Sequence, residues 1–242
     1  MSGKYNREKQ VNREMAYLAI PRWKDIPFLV HGFGTGEWEE RDFKRQKGWK
    51  DFNTIFLEQV HSDIVHFIEE IPKRNLMGDA LITRLPQVFL IVKTADCLPV
   101  LIVDERQRAI AAVHCGWRGT QKRVLEKVLD GLEIRYGCRP ESLLVALGPC
   151  IGPFCYEVGE DVKQSFEKAG FQDVLFESHP VRRGKYFFDL RKANLLQLQR
   201  RGVIKENIFR LDVCSHCETS FPSFRRDGKK ASRMLSFIGM SF

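Results

Sequence analysis

The sequence predicts an α/β fold of the α+β-like kind, a single domain with mixed, largely antiparallel β-structure covered by helices. Three observations carry this expectation. The stretch 94–119 sets two apolar runs, 100–103 and 109–113, on either side of the polar tetrad 105–108, the pattern of two strands joined by a short loop. Directly behind it, Val124, Leu125, Val128, Leu129 and Leu132 form a helical apolar stripe that stops at Gly137. No internal repeat or low-complexity linker divides the 242 residues, so a polar arm over 1–15 followed by one domain over 16–242 is the simplest organisation.

Taken in order, residues 23–33 read as a first strand arriving at glycines 32, 34 and 36. These make a flexible turn but no dinucleotide fingerprint, because no helix with the right spacing follows. Charged residues dominate 37–50, a surface loop or an exposed helix. The stretch 53–69 alternates as one strand or two pieces. On the first piece Ile55, Leu57, Gln59 and His61 share a face, and His66 falls on the other parity unless a bulge intervenes. Gly78-Asp79-Ala80 leads into a strand at 81–83, and 88–94 feeds the central hairpin.

If the tetrad is the hairpin loop, Asp104 faces Ala109, Leu98 faces Cys115 and Pro99 faces His114. Cys97 then shares a face with Pro99 and His114, since strand side chains alternate and opposed residues lie on one face. A thiolate and an imidazole can meet at the open end, provided the register does not slip by one. Beyond a helix around 122–136, residues 142–147 read as a buried strand running into a rigid Gly-Pro loop over 148–157 that ends in Tyr156 and Glu157. A helix over 160–169 closes at Gly170. Asp189 caps a helix over 190–201 that Gly202 terminates, and 208–213 is the last strand.

Composition narrows the function classes. The formal charge of +8 and pI near 9.2 come from basic residues scattered among acids, with no nucleic-acid signature, so a positive field favouring small anions is the better reading. No apolar run approaches the ~20 residues of a membrane span. Seven cysteines, an odd number, and the lack of a secretory leader point to a reducing cytoplasm with free thiols.

His61, Cys97 and His114 offer two imidazoles and a thiolate, a set that suits Zn²⁺ with a fourth position left for a water whose pKa the metal lowers. The same ligands with a remote methionine would make a blue-copper centre. A histidine-rich trinuclear copper cluster is a different matter, because the chain has only six histidines. Cys214-Ser215-His216-Cys217 is formally a Cys-x-x-Cys motif, but without a second one it reads as loop cysteines. Arg225 and Arg226 present paired donors to phosphate or carboxylate.

The motifs Glu58-Gln59-Val60-His61, Gly78-Asp79-Ala80-Leu81, Thr94-Ala95-Asp96-Cys97-Leu98-Pro99, Ala112-Val113-His114-Cys115-Gly116-Trp117-Arg118-Gly119, the loop 148–159 and Arg225-Arg226-Asp227-Gly228 follow one another in a family order. In these the chain resembles the YfiH family of laccase-domain proteins, over about residues 30–242. The resemblance implies a zinc site of His61, Cys97 and His114, and phosphorolysis of adenosine, inosine and methylthioadenosine with adenosine deamination beside it. Nucleoside and phosphate are then the partners, with Tyr156 and Glu157 for the nucleoside and Arg225 and Arg226 for the anion. A second activity attached to the family is peptidoglycan editing, the amidase removal of misincorporated serine from a cell-wall precursor. A third is copper-dependent polyphenol oxidation or electron transfer. The chain departs from the family pattern at Gly36, where an arginine is usual, at Phe154 and Cys115, and at Ala231-Ser232 before Arg233.

Overall fold

The computed structural model describes residues 11–12, 17–36, 38–46 and 48–242. Its main strands are β1 (Leu29–Gly34), β2 (Ala80–Thr83), β3 (Val88–Thr94), β4 (Leu98–Asp104), β5 (Ala109–Cys115), β6 (Leu144–Leu147) and β7 (Met234–Met240). Its helices are α1 (Glu40–Arg45), α2 (Trp117–Gln121), α3 (Val124–Tyr136), α4 (Glu160–Lys168) and α5 (Leu190–Arg200), with a short α6 (Phe224–Asp227).

Two six-stranded sheets form the body. In the first, β7 lies between β1 and β3, antiparallel to both, and Asn53–Ile55 adds a parallel edge to β3. In the second, β4 and β5 are central, flanked by β6 and β2, with Ile208–Arg210 and Val65–Ile68 as parallel edges. The architecture is mixed α/β and mostly antiparallel, as the sequence predicts. The sheets stack through one apolar layer in which Leu90, Val92 and Ile238 of the first meet Leu101, Val103 and Ile110 of the second. Helices α3, α4 and α5 cover the second sheet's outer face, where Val100, Ile102 and Val113 pack on Val128, Phe166 and Leu198. The first sheet's outer face is aromatic, with Phe89 and Phe237 under Trp38 and Phe43 of the α1 region.

The hairpin register is the expected one: Asp104 opposes Ala109, Pro99 opposes His114 and Leu98 opposes Cys115. Asp104 fixes the loop by accepting from the backbone N–H groups of Arg106 and Gln107 at 2.9 and 3.0 Å. The helices end where their glycines predict, with Gly137, Gly170 and Gly202 all at positive φ, and Asp189 caps α5 by accepting from the Lys192 N–H.

The arm expected over 1–15 lies outside the described residues except for Val11–Asn12, which pair with Tyr17–Leu18. Several other expectations are corrected. The strand expected over 23–33 begins only at Leu29, because Pro21–Asp25 winds into a 3-10 turn that buries Trp23. The stretch 53–69 breaks into Asn53–Ile55, Leu57–Glu58 and Val65–Ile68, leaving His61 in a turn at φ 55°. The helix expected around 122–136 is α3, which begins at Val124 after Arg123 at φ 63° and follows the separate short α2. Residues 208–213 are not the last strand, since that strand ends at Arg210 and β7 follows. Among the described residues no helix is long and apolar enough to cross a membrane.

Candidate metal centre

The open end of the hairpin gathers His61, Cys97 and His114, whose ligand atoms all lie within 4.8 Å of one another. Three different elements deliver them. His114 is the penultimate residue of β5. Cys97 precedes β4 and follows Asp96, whose left-handed φ of 82° is stabilised by two donors to its carboxylate, Ser215 Oγ at 2.7 Å and the Arg225 N–H at 2.6 Å. His61 arrives from a turn anchored on one side by Gln59, whose amide exchanges two hydrogen bonds with the backbone of Lys93. Its Nε2 lies 4.0 Å from Cys97 Sγ, and its ring stands edge-on to that of His114 at 4.9 Å.

Asp79, fully buried just before β2, organises the centre from beneath. It accepts from His114 Nδ1 at 2.7 Å, from the His61 N–H at 3.1 Å, and from the N–H and Oγ of Ser62. Holding Nδ1 leaves His114 Nε2 as its ligand atom, the usual relation of a carboxylate to a metal-binding histidine. Burial pushes the Asp79 carboxyl upward, but the hydrogen bonds from His114 and Ser62 outweigh it and bring it to about 2. The same opposition acts on the other two groups. Burial raises the Cys97 thiol, yet His114 and His61 draw it down to about 6. Burial lowers His114, yet Cys97 and Asp79 carry it up to about 9.

The donor set fits a metal ion. Gly116 leaves open the space between the ligands, because a Cβ there would stand 3.0 Å from His61 Cδ2 and 3.2 Å from Cys97 Sγ. Two imidazoles and one thiolate match a three-ligand site with an open position. Cys115, on the opposite face of β5, is buried in the core and its thiol is raised far above its ordinary value.

Above the triad lies a cleft of about 540 Å³, within the range of small-molecule sites. Tyr156, Trp117, Phe224 and Ile151 supply apolar walls, and Lys93, Arg118, Arg225 and Arg233 supply cations. The guanidinium of Arg225 sits 5.5 Å from the Tyr156 ring centre, and its Nη2 donates to the Glu157 carbonyl at 2.8 Å. Tyr156 and Arg225 thus reach the cleft. The other two expected substrate residues do not. Glu157 turns its carboxylate away to Arg182 and His179, because it begins an edge strand whose side chains alternate outward. Arg226 is consumed as a clasp, donating to the carbonyls of Ser215, His216 and Phe221 and pairing with Asp227. Sequence reasoning missed Asp79, Lys93, Trp117, Arg118 and Phe224. The signal for Trp117 and Arg118 was their place at the first turn of α2, immediately after Gly116.

Residues 38–241 match the family described as multi-copper polyphenol oxidoreductase laccase. A purine nucleoside phosphorylase of Clostridium acetobutylicum is 36% identical over 200 residues, 81% of each chain. Adenosine deaminase RL5, from an unknown prokaryotic organism, is 39% identical over 163 residues, 66% of this chain and 61% of its own. The crystal structure of the Bacillus licheniformis hypothetical protein YfiH superposes with a TM-score of 0.83 at 26% identity, covering 93% of this chain and 97% of that one. Sequence, fold and donor set agree, and the chain belongs to the laccase-domain family that includes YfiH.

Proposed function

We propose that this protein is a zinc-dependent purine nucleoside phosphorylase, cleaving adenosine, inosine or methylthioadenosine with phosphate, with adenosine deamination as a side reaction. One observation carries the reading: a single cleft joins a His-Cys-His donor set, aromatic faces and a ring of cations. The names of the relatives, phosphorylase for one and deaminase for another, support it.

His61, Cys97 and His114 would hold the ion, and when bound it supplies a Lewis acid and lowers the pKa of water. No methionine lines the cleft among the described residues, which favours zinc over a blue-copper centre. Tyr156 and Trp117 offer faces against which a purine ring can stack. Burial keeps the Tyr156 phenol protonated, so its O–H is a donor to the base or ribose. Arg118, Arg225, Arg233 and Lys93 surround the place of an anion. Their number offsets the arginine missing at Gly36, which does not itself line the cleft. In phosphorolysis these residues hold the phosphate against the ribose carbon while the departing purine stays on its aromatic seat.

The test is product analysis of metal-quantified protein incubated with adenosine, with and without phosphate, beside His61→Ala. The expected outcome is adenine and ribose 1-phosphate only when phosphate is present, a slower yield of inosine, and loss of both in the variant. A zinc-replete protein that produces neither would overturn the assignment and turn attention to a cell-wall precursor.

A further inference from the structure

The Cys-x-x-Cys segment does not sit idle on a loop. Cys155, the last residue of the 3-10 turn Pro153–Cys155, brings its sulfur to 3.3 Å from that of Cys217. These two sulfurs and a ring nitrogen of His216 all lie within 4.8 Å of one another. The sulfur of Cys214 stands beside both. It also accepts the backbone N–H of Gly152 at 3.1 Å. Gly152 permits the approach, since a Cβ there would press to 3.2 Å from Cys214 Sγ.

We propose that Cys155, Cys214, His216 and Cys217 form a second metal site, a closed Cys₃His set for one structural Zn²⁺. Sulfurs ~2.3 Å from a tetrahedral zinc lie about 3.8 Å apart. The ligand atoms of Cys155, His216 and Cys217, from 3.3 Å to at most 4.8 Å apart, bracket that value, and Cys214 stands outside this group, so its sulfur moves in to close the fourth position. A Cys155–Cys217 disulfide is the competing outcome, but it leaves the third sulfur and the imidazole without a purpose. Binding transfers the thiol protons to solvent and leaves three thiolates and one neutral imidazole around the ion.

The site would act on the cleft through its neighbours. Cys155 adjoins Tyr156, and Ser215, within the Cys-x-x-Cys turn, donates to Asp96 beside Cys97. Arg226 ties the carbonyls of Ser215 and His216 to α6, which carries Phe224 and Arg225 into the cleft. One ion would thus pin together two loops that build the substrate wall.

The experiment is zinc stoichiometry by mass spectrometry on wild type, on His61→Ala/His114→Ala and on Cys155→Ser/Cys217→Ser, with Co²⁺ replacement followed by absorption. Two ions per chain in wild type and one in each double variant are expected. The sulfur-to-cobalt charge-transfer band of a three-thiolate site should persist in the histidine variant and disappear in the cysteine variant. If the cleft binds no metal, the cysteine site still holds one ion, lost only in the cysteine variant, so the two readings fail separately. Cys217 is exposed, and in wild type it should react with a thiol reagent only after chelation. A wild type whose zinc is lost entirely with His61 and His114, or a Cys155–Cys217 disulfide in protein purified under reductant, overturns the proposal.

Discussion

At the residue scale, Asp79, which does not itself line the cleft, orients two of the three candidate ligands. Its two oxygens accept from the ring of His114 and from the turn that presents His61, so one carboxylate sets the direction of two imidazoles. Asparagine keeps the shape but offers one acceptor oxygen and a pair of N–H donors facing groups that also donate. Asp79→Asn is therefore expected to weaken metal affinity by roughly 10- to 100-fold, the usual effect of removing a carboxylate behind a metal-bound histidine. Competition with a chromophoric chelator measures it. Unchanged affinity would mean that the ligands orient themselves. Gly116 limits the same centre from the other side, where even a methyl group would crowd His61 and Cys97.

At the element scale, the hairpin β4–β5 sets the distance between Cys97 and His114, and its loop depends on Asp104. That buried carboxylate accepts from two loop N–H groups and from Ser142 Oγ at 2.9 Å, tying the hairpin to the segment before β6. Asp104→Ala should cost about 1–3 kcal/mol, the range for leaving buried partners unsatisfied. Urea denaturation reads the loss, while folded protein should keep its metal content because the loop is at the far end of the hairpin. The hairpin was legible in the sequence because a polar tetrad between two apolar runs marks the loop, and counting outward from it gives the observed register. Strand β7 was not, since every residue from Met234 to Met240 is buried and no alternation marks it, with Ser236 and Gly239 interrupting the apolar run. His61 was named as a ligand candidate for the wrong local reason. Alternation along a strand pointed to it, whereas a left-handed turn held by Asp79 delivers it. The cysteine cluster stayed hidden because its sulfurs come from segments 62 residues apart, a closeness that the loop 148–157 and the bridge between Cys150 and Cys214 create. Glu157 and Arg226 show the converse, charged residues in the right motifs whose side chains are spent on neighbouring structure.

At the scale of the whole molecule, one buried histidine gives stability a pH dependence apart from the cleft. His31 on β1 is kept neutral: it is 5% exposed, its Nε2 accepts the Ile20 N–H at 2.8 Å and its ring lies 4.9 Å from that of Trp23. Burial lowers it from its ordinary 6.5 to about 3. Because the folded pKa is the lower one, the unfolded chain binds the extra proton between these values. Its contribution is therefore fully present above pH 6.5 and is lost as pH falls toward 3, with a slope approaching ~1.4 kcal/mol per pH unit. Between pH 7 and pH 5 the wild type should lose about 2 kcal/mol more than His31→Gln, whose side-chain oxygen can still accept the Ile20 N–H but cannot titrate. Denaturant unfolding of both proteins at the two pH values makes the comparison. Metal loss on acidification affects both alike, since His31 does not line the cleft, and it cancels in the difference. Equal pH dependence in the two proteins would show that the packing around Trp23 and Ile20 opens enough to hydrate the imidazolium, and that the layer between the sheets is less closed at this edge than the buried ring implies.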